Sequence, residues 1–365
     1  MNQNATHSHY WWQVGRWSLL VLFSFELVLR LFIVKSPQRV YENGWGVVPV
    51  AGAYSMQGSE GYGVLHYIDH GEVETPYQGG RSVVVLGDST TLAAQVDPSL
   101  NYVSLTELNL RKRGFDADLH NLGRSARIMA DHVYLAPAVN ATFAPEVVVL
   151  QVSPDSFTLS YDPAAENYFI DDGGKLTLKH QEPPAVKSLG VQNTVSVSGL
   201  ADFFGIRLWL VLDGLEKSHP GLFTNPMEGN LGNVTAVAPL SWENATEEQL
   251  RGLRLQVLAQ VEAVREAYPD SVIVFLVIPS PPKISFEQRS VVWGNQADTQ
   301  LVALLHSIEG VRVVYPLNVF EKFYQNQHVL PRGSFNSAFN YGHLNPIGHR
   351  AVAQALTAAL KEILR

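Results

Sequence analysis

Apolar runs of strand length alternate along most of the chain with stretches of helical period. Val83 to Leu86 is a four-residue run with β-branched bias, and Gly87-Asp88-Ser89-Thr90 breaks it. Such a run predicts a buried strand, and a glycine followed by small polar residues predicts a tight turn into a helix. The pattern continues with a helix over about 102–113, a strand over 117–119, a helix over about 126–139 and a strand over 147–152. After a long interruption, Thr246 and Gln249 form a capping box for a helix running to about 268. A nearly all-apolar strand over 272–278 follows. Then come a helix over 298–308, a strand over 311–315, a short helix over 319–325 and a last helix over 346–364. Regular alternation of strand and helix implies a parallel sheet covered by helices, an α/β fold.

The interruption, residues 156–244, reads as an insertion. It holds a hairpin over 168–179 turning at Asp171-Asp172-Gly173-Gly174, and a helical pattern over 200–216 with Phe203, Phe204, Trp209 and Leu212. Insertions of this size are often lids or partner surfaces. Ahead of the α/β pattern, residues 1–16 form a polar tail and residues 17–34 are mostly apolar. Eighteen such positions approach the length of a membrane-spanning helix, and Trp11, Trp12 and Trp17 suit an interfacial belt. No small-residue cleavage site follows, so a retained single-pass anchor is expected rather than a cleaved signal. Glu26 and Arg30 interrupt the run four residues apart, on one helix face. They can neutralise each other or meet a partner in the membrane. Arg16 precedes the span while Lys35 and Arg39 follow it, so the positive-inside count is close to a tie. Residues 35–80, rich in Gly, Tyr and Val, read as a linker with short strands.

Composition narrows the function. The chain has 365 residues, 46% hydrophobic and 16% charged, enough for a sizeable core. A net charge of −8 argues against nucleic acid as a partner. No cysteine is present, so disulfides and thiolate chemistry are excluded. No metal-ligand spacing or phosphate loop stands out, and no cofactor is expected. Four N-x-S/T sequons occur, at Asn4, Asn140, Asn233 and Asn244; they matter only in a glycosylating compartment.

Two motifs carry the chemistry. Ser89 lies at a strand-to-helix turn, where a helix N-terminus favours developing negative charge. Taken alone this is equally a helix cap after a strand. The second is Gly342-His343-Leu344-Asn345-Pro346-Ile347-Gly348-His349, in which Asn345-Pro346 opens the last helix and leaves His343 on the loop before it. A histidine there could act as general base to a serine, or simply hold a structural hydrogen bond. The pairing of GDST after a first strand with GHLNPIGH before a final helix resembles the SGNH/GDSL hydrolase family over about residues 81–365.

The resemblance implies a flavodoxin-like three-layer fold, with Ser89 as nucleophile and His343 as base. It also marks departures. The family's aspartate three residues before the histidine is Asn340 here, which would orient the imidazole without a charge. The oxyanion donors map onto the N–H of Ser89, the N–H of Ala126 in place of a glycine, and Ser153 beside Pro154, which stands where an asparagine is expected. The expected activity is a membrane-anchored ester hydrolase or acyltransferase acting on acyl esters on the periplasmic or extracellular side. Acetylated envelope glycans or lipid-like esters are substrates of the kind the resemblance implies. The alternative is a catalytically weak SGNH scaffold, an extramembrane subunit of a membrane complex held through Glu26, Arg30 and the 156–244 insertion.

Overall fold

Five of the apolar runs become the parallel strands of one sheet: β1 (Arg81–Gly87), β2 (Ala117–Gly123), β3 (Val147–Val152), β4 (Val272–Val277) and β5 (Val311–Val314). The order across the sheet is β2-β1-β3-β4-β5. This is the flavodoxin-like order 2-1-3-4-5, whose strand order reverses between β1 and β3. The computed structural model describes residues 3–32, 34–77, 79–172, 175–181, 191–192, 242, 245–285, 287, 289–337 and 339–365.

Strands buried on both faces need apolar side chains at successive positions, and β1, β3 and β4 supply them. Val84, Leu86, Val148, Leu150 and Phe275 face one side, against α3 (Met129–Phe143), α4 (Glu247–Ala267) and α5 (Gln296–His306). Val83, Val85, Val147, Val149 and Val274 face the other, against α2 (Tyr102–Arg111), α6 (Leu317–Gln327) and α7 (Pro346–Ile363). The result is the expected three-layer α/β architecture. Thr246 caps α4 through the expected box with Gln249, and Asn345 caps α7 by accepting from the N–H groups of Ile347 and Gly348.

Two boundaries move, each for a local reason. Strand β2 runs on to Gly123 because its polar residues are tied down: His120 meets Glu72, and the Asn121 amide donates to the Thr91 carbonyl. Helix α3 starts at Met129, not near Ala126, because Ala126 takes a left-handed φ of 63° that ends regular structure there.

The hairpin in the insertion is Asn167–Asp172 paired with Lys175–His180, and its Phe169 is buried against the α3–α4 face. The helical pattern expected over 200–216 lies outside the described residues. At the N-terminus, helix α1 runs from Gln3 to Phe32, longer at its start than the expected span. Its stretch Trp11–Leu29 is long and apolar enough to cross a membrane and is almost wholly exposed. Val34 already belongs to a strand, Val34–Lys35, so the helix ends short of the expected boundary. The side chain of Arg30 lies outside the described residues. The stretch read as a linker folds onto the α/β body instead. Strand Val34–Lys35 pairs with Tyr54–Gln57, which pairs with Gly63–His66. A second sheet joins Arg39–Glu42 to Gly46–Pro49.

Candidate active site

The turn after β1 is built for a close approach. A Cβ on Gly87 would meet Thr91 Oγ1 at 2.1 Å, and one on Gly123, its partner across the sheet, would meet the Leu92 nitrogen at 2.3 Å. Only glycine at both strand ends lets the short helix Ser89–Leu92 sit this tightly. Asp88 caps that helix by accepting from the Thr90 N–H at 2.7 Å. The Gln151 side-chain oxygen, at the end of β3, accepts from both the Asp88 N–H at 2.9 Å and the Thr91 hydroxyl at 3.0 Å. Ser89 therefore sits at a fixed position on a helix N-terminus, at the carboxyl ends of the strands.

His343 reaches it from the loop before α7. Its Nε2 lies 2.8 Å from Ser89 Oγ, a hydrogen bond across 254 positions. Its Nδ1 lies 2.7 Å from Glu60 Oε2, and its backbone N–H donates to Glu60 Oε1 at 2.6 Å. One carboxylate thus fixes both the imidazole ring and the backbone that carries it. The Glu60 side chain is only 6% exposed. Burial pushes its carboxyl up, but the hydrogen bonds and charge of His343, with Arg332 beyond, outweigh this and hold it below the usual carboxylate range.

Glu60 is the residue that sequence reasoning missed. The position next to the imidazole was given to Asn340, and the structure corrects this. Asn340 adopts a left-handed φ of 56° and turns its amide away, donating to the Pro282 carbonyl at 2.8 Å. Glu60 arrives from the turn between strands Tyr54–Gln57 and Gly63–His66. Asn336 clamps that turn, accepting from the Gly61 N–H at 2.6 Å and donating to the Gly58 carbonyl at 2.8 Å. Ser59-Glu60-Gly61 lies in a turn-rich stretch, which marks a carboxylate on a loop but not its destination.

A cavity of about 430 Å³ surrounds these groups, lined by Glu60, Ser89, Ser153, Ser280, Arg332 and His343 among others. Arg332 is half-buried there. Its guanidinium donates to the carbonyls of Gly342 at 2.8 Å and Pro279 at 3.1 Å, tying the His343 loop to the end of β4. Burial lowers its pKa, opposed by Asp88, Asp298 and Glu60. Of the expected oxyanion donors, Ser89 and Ser153 line this cavity. Ser153 caps the short helix Pro154–Thr158, where Pro154 occupies a first-turn position that needs no N–H, and its Oγ lies 3.3 Å from Ser156 Oγ. Ala126 lines the neighbouring cavity instead, with Arg39, Arg124 and Glu166. Among the described residues no cluster of three or more His, Asp or Glu could hold a metal ion.

A parallel 2-1-3-4-5 sheet, a serine after its first strand and a histidine before its last helix that meet at the strand ends together reproduce the expected arrangement. The fold is SGNH-like. Solved structures similar to the chain include TesA, at 12% identity over 78% of this chain and 99% of that one, with a TM-score of 0.39. A member of the lipolytic G-D-S-L family from Veillonella parvula is similar at 9% identity over 77% and 99%, with a TM-score of 0.37. An acetyl xylan esterase is similar at 14% identity over 76% and 99%, also with a TM-score of 0.37. No protein-family model and no curated protein matches the chain. Its chemistry is therefore read from its own side chains.

Proposed function

We propose that the protein is a serine ester hydrolase or acyltransferase carried by a single-pass N-terminal anchor, with its α/β domain on the periplasmic or extracellular side. The observation that carries this reading is the continuous chain Glu60–His343–Ser89, at 2.7 and 2.8 Å. Ser89 Oγ attacks the acyl carbonyl while its proton passes to His343 Nε2. The His343 Nδ1–H donates to Glu60, which stabilises the imidazolium that forms. The carbonyl oxygen, now negative, is met by the Ser89 N–H at the helix N-terminus, with the Ser153 hydroxyl as a second donor. Collapse breaks the ester C–O bond, and the leaving oxygen takes the proton from His343. Water, or the hydroxyl of an acceptor, then attacks the acyl-serine with His343 again as base.

Of the features behind the scaffold alternative, Glu60 answers one, the carboxylate that Asn340 lacks beside the imidazole. The test is labelling of the full-length protein in membranes with a fluorophosphonate. We expect labelling that is lost in Ser89→Ala and strongly slowed in Glu60→Gln. A native protein that stays unlabelled, while a soluble serine esterase in the same sample is labelled, would turn the reading back to the scaffold.

A further inference from the structure

Two phenylalanines, on the loop whose two ends line this cavity, stand with almost nothing over them. Phe335 is 88% exposed and Phe339 72%, more than Trp11, Trp12 or Trp17 on α1 at 65–67%. Both lie on the loop between Arg332, which donates to the Gly342 carbonyl, and His343 itself. Tyr62, two residues from Glu60, is 49% exposed and adds a third aromatic ring on the loop that carries Glu60. Scattered single apolar residues need no explanation, but exposed aromatics on two loops that contribute to one cavity do.

Their backbone is continuous with the end of α1. The helix ends at Phe32, and Val34 is already paired with Gln57. Gln57 adjoins Gly58, whose carbonyl receives the Asn336 amide at 2.8 Å, and Asn336 follows Phe335 directly. Phe335 is thus roughly 22 Å from Val34 even with every link extended. A single residue separates helix from strand, so no spacer holds the domain away from whatever the helix enters.

We propose that the rim of the Ser89 cavity rests on the bilayer that α1 enters, with Phe335 and Phe339 in its interfacial layer, so that the site opens onto the membrane surface. This rests on the anchor reading, and on nothing about catalysis. Aromatic side chains favour that layer, and a bulky apolar ring beside an anchored helix gains there what it lacks in water. The occupant follows from continuity: the apolar helix and the exposed loop share one small, directly bonded hairpin.

The absence of cysteine makes the test direct, since one introduced cysteine is unique. Full-length Phe335→Cys, Phe339→Cys, Leu22→Cys on α1 and Glu309→Cys, exposed before β5 at the far end of the sheet, are each spin-labelled. They are placed in vesicles of mixed phosphatidylethanolamine and phosphatidylglycerol. Collision with oxygen against a water-soluble nickel chelate then reports depth. We expect labels at 335, 339 and 22 to favour oxygen, and the label at 309 to favour the chelate. If 22 favours oxygen while 335 and 339 behave as 309, the proposal fails and the anchor stands. If 22 also favours the chelate, the anchor reading fails first. Low collision with both reagents at 335 and 339 would mean a protein covers them, and would overturn the lipid assignment.

Discussion

Glu60 and His343, 283 positions apart, are joined twice: the carboxylate accepts from the imidazole side at 2.7 Å and from the histidine's own backbone N–H at 2.6 Å. A single bond would orient a ring. Two bonds from one buried group also fix the loop that carries the ring, so the Ser89–His343 distance depends on Glu60 twice over.

Glu60→Gln is therefore expected to cut turnover of an activated acetate ester by at least about 10²-fold, toward the ~10⁴ seen when the serine-protease aspartate becomes an amide. The amide can donate to the imidazole and favour the wrong tautomer. Asn340→Asp should not raise turnover, because that side chain donates to the Pro282 carbonyl and does not reach His343, and a carboxylate cannot make the bond. Initial rates for both variants, with Ser89→Ala as background, check this. A large gain in Asn340→Asp would mean that the loop re-forms around residue 340 during catalysis.

The sequence carried the sheet well and the nucleophile and base well, because each is written in a local pattern. A run of β-branched residues followed by Gly87 specifies a strand and a turn within seven positions, and Asn345-Pro346 specifies where α7 starts. The third group was not legible. Glu60 reaches the site through the closure of a small hairpin, packed onto the domain by Asn336, and no spacing near His343 records it. Asn340 misled because its left-handed backbone reverses the direction its side chain takes. Ala126 shows the same limit: one residue at φ 63° moved the start of α3 by three positions.

Gly342→Ala tests the same clamp from the other side. Gly342 has φ 80°, and a Cβ there would meet Glu60 Oε1 at 2.1 Å and its carboxyl carbon at 2.8 Å. The side chain of Glu60 is buried and held by both of its bonds to His343. The substitution should displace the carboxylate and lower kcat by on the order of the Glu60→Gln loss. Steady-state kinetics on the activated ester, alongside circular dichroism to show a folded protein, decide it. Unchanged kcat in a folded variant would mean that Glu60 is not held where we place it.

Ala126→Gly should stabilise the protein. A non-glycine residue in the left-handed region costs roughly 1–2 kcal/mol, and Ala126 is exposed with no side-chain packing to lose. Greater freedom in the unfolded chain offsets about 0.4–1 kcal/mol of the gain. A net gain of up to about 1.6 kcal/mol is expected, read as a shift in the urea midpoint with unchanged slope. A loss of stability would place residue 126 in another conformation in solution.

The last prediction concerns acid. His132 is buried in α3, neither ring nitrogen has a partner, and burial, with Arg127 nearby, drops its pKa to about 3. His349 is buried in α7 and likewise lowered to about 3, by burial first and then by His343 and Arg332. In the unfolded chain a histidine takes its proton near pH 6.5. Between about pH 6.5 and 3 the unfolded state therefore binds more protons than the native one, and stability falls as pH falls. Each histidine contributes at most about 1.4 kcal/mol per pH unit. Glu107 works the other way: burial raises it to about 7, so between 4.5 and 7 the native state holds the extra proton and gains as pH falls. Glu166 and Asp298, also raised by burial, act in the same sense as Glu107. The whole-protein profile mixes these signs, but a difference does not. Subtracting His132→Leu from the native protein cancels every other group to first order, and leucine keeps much of the volume. The native protein should lose stability relative to this variant as pH falls from 6.5 to 4.5, with no relative change between pH 7.5 and 9. Urea unfolding across that range measures it, and a constant difference at all pH values would show that His132 binds its proton equally well in both states.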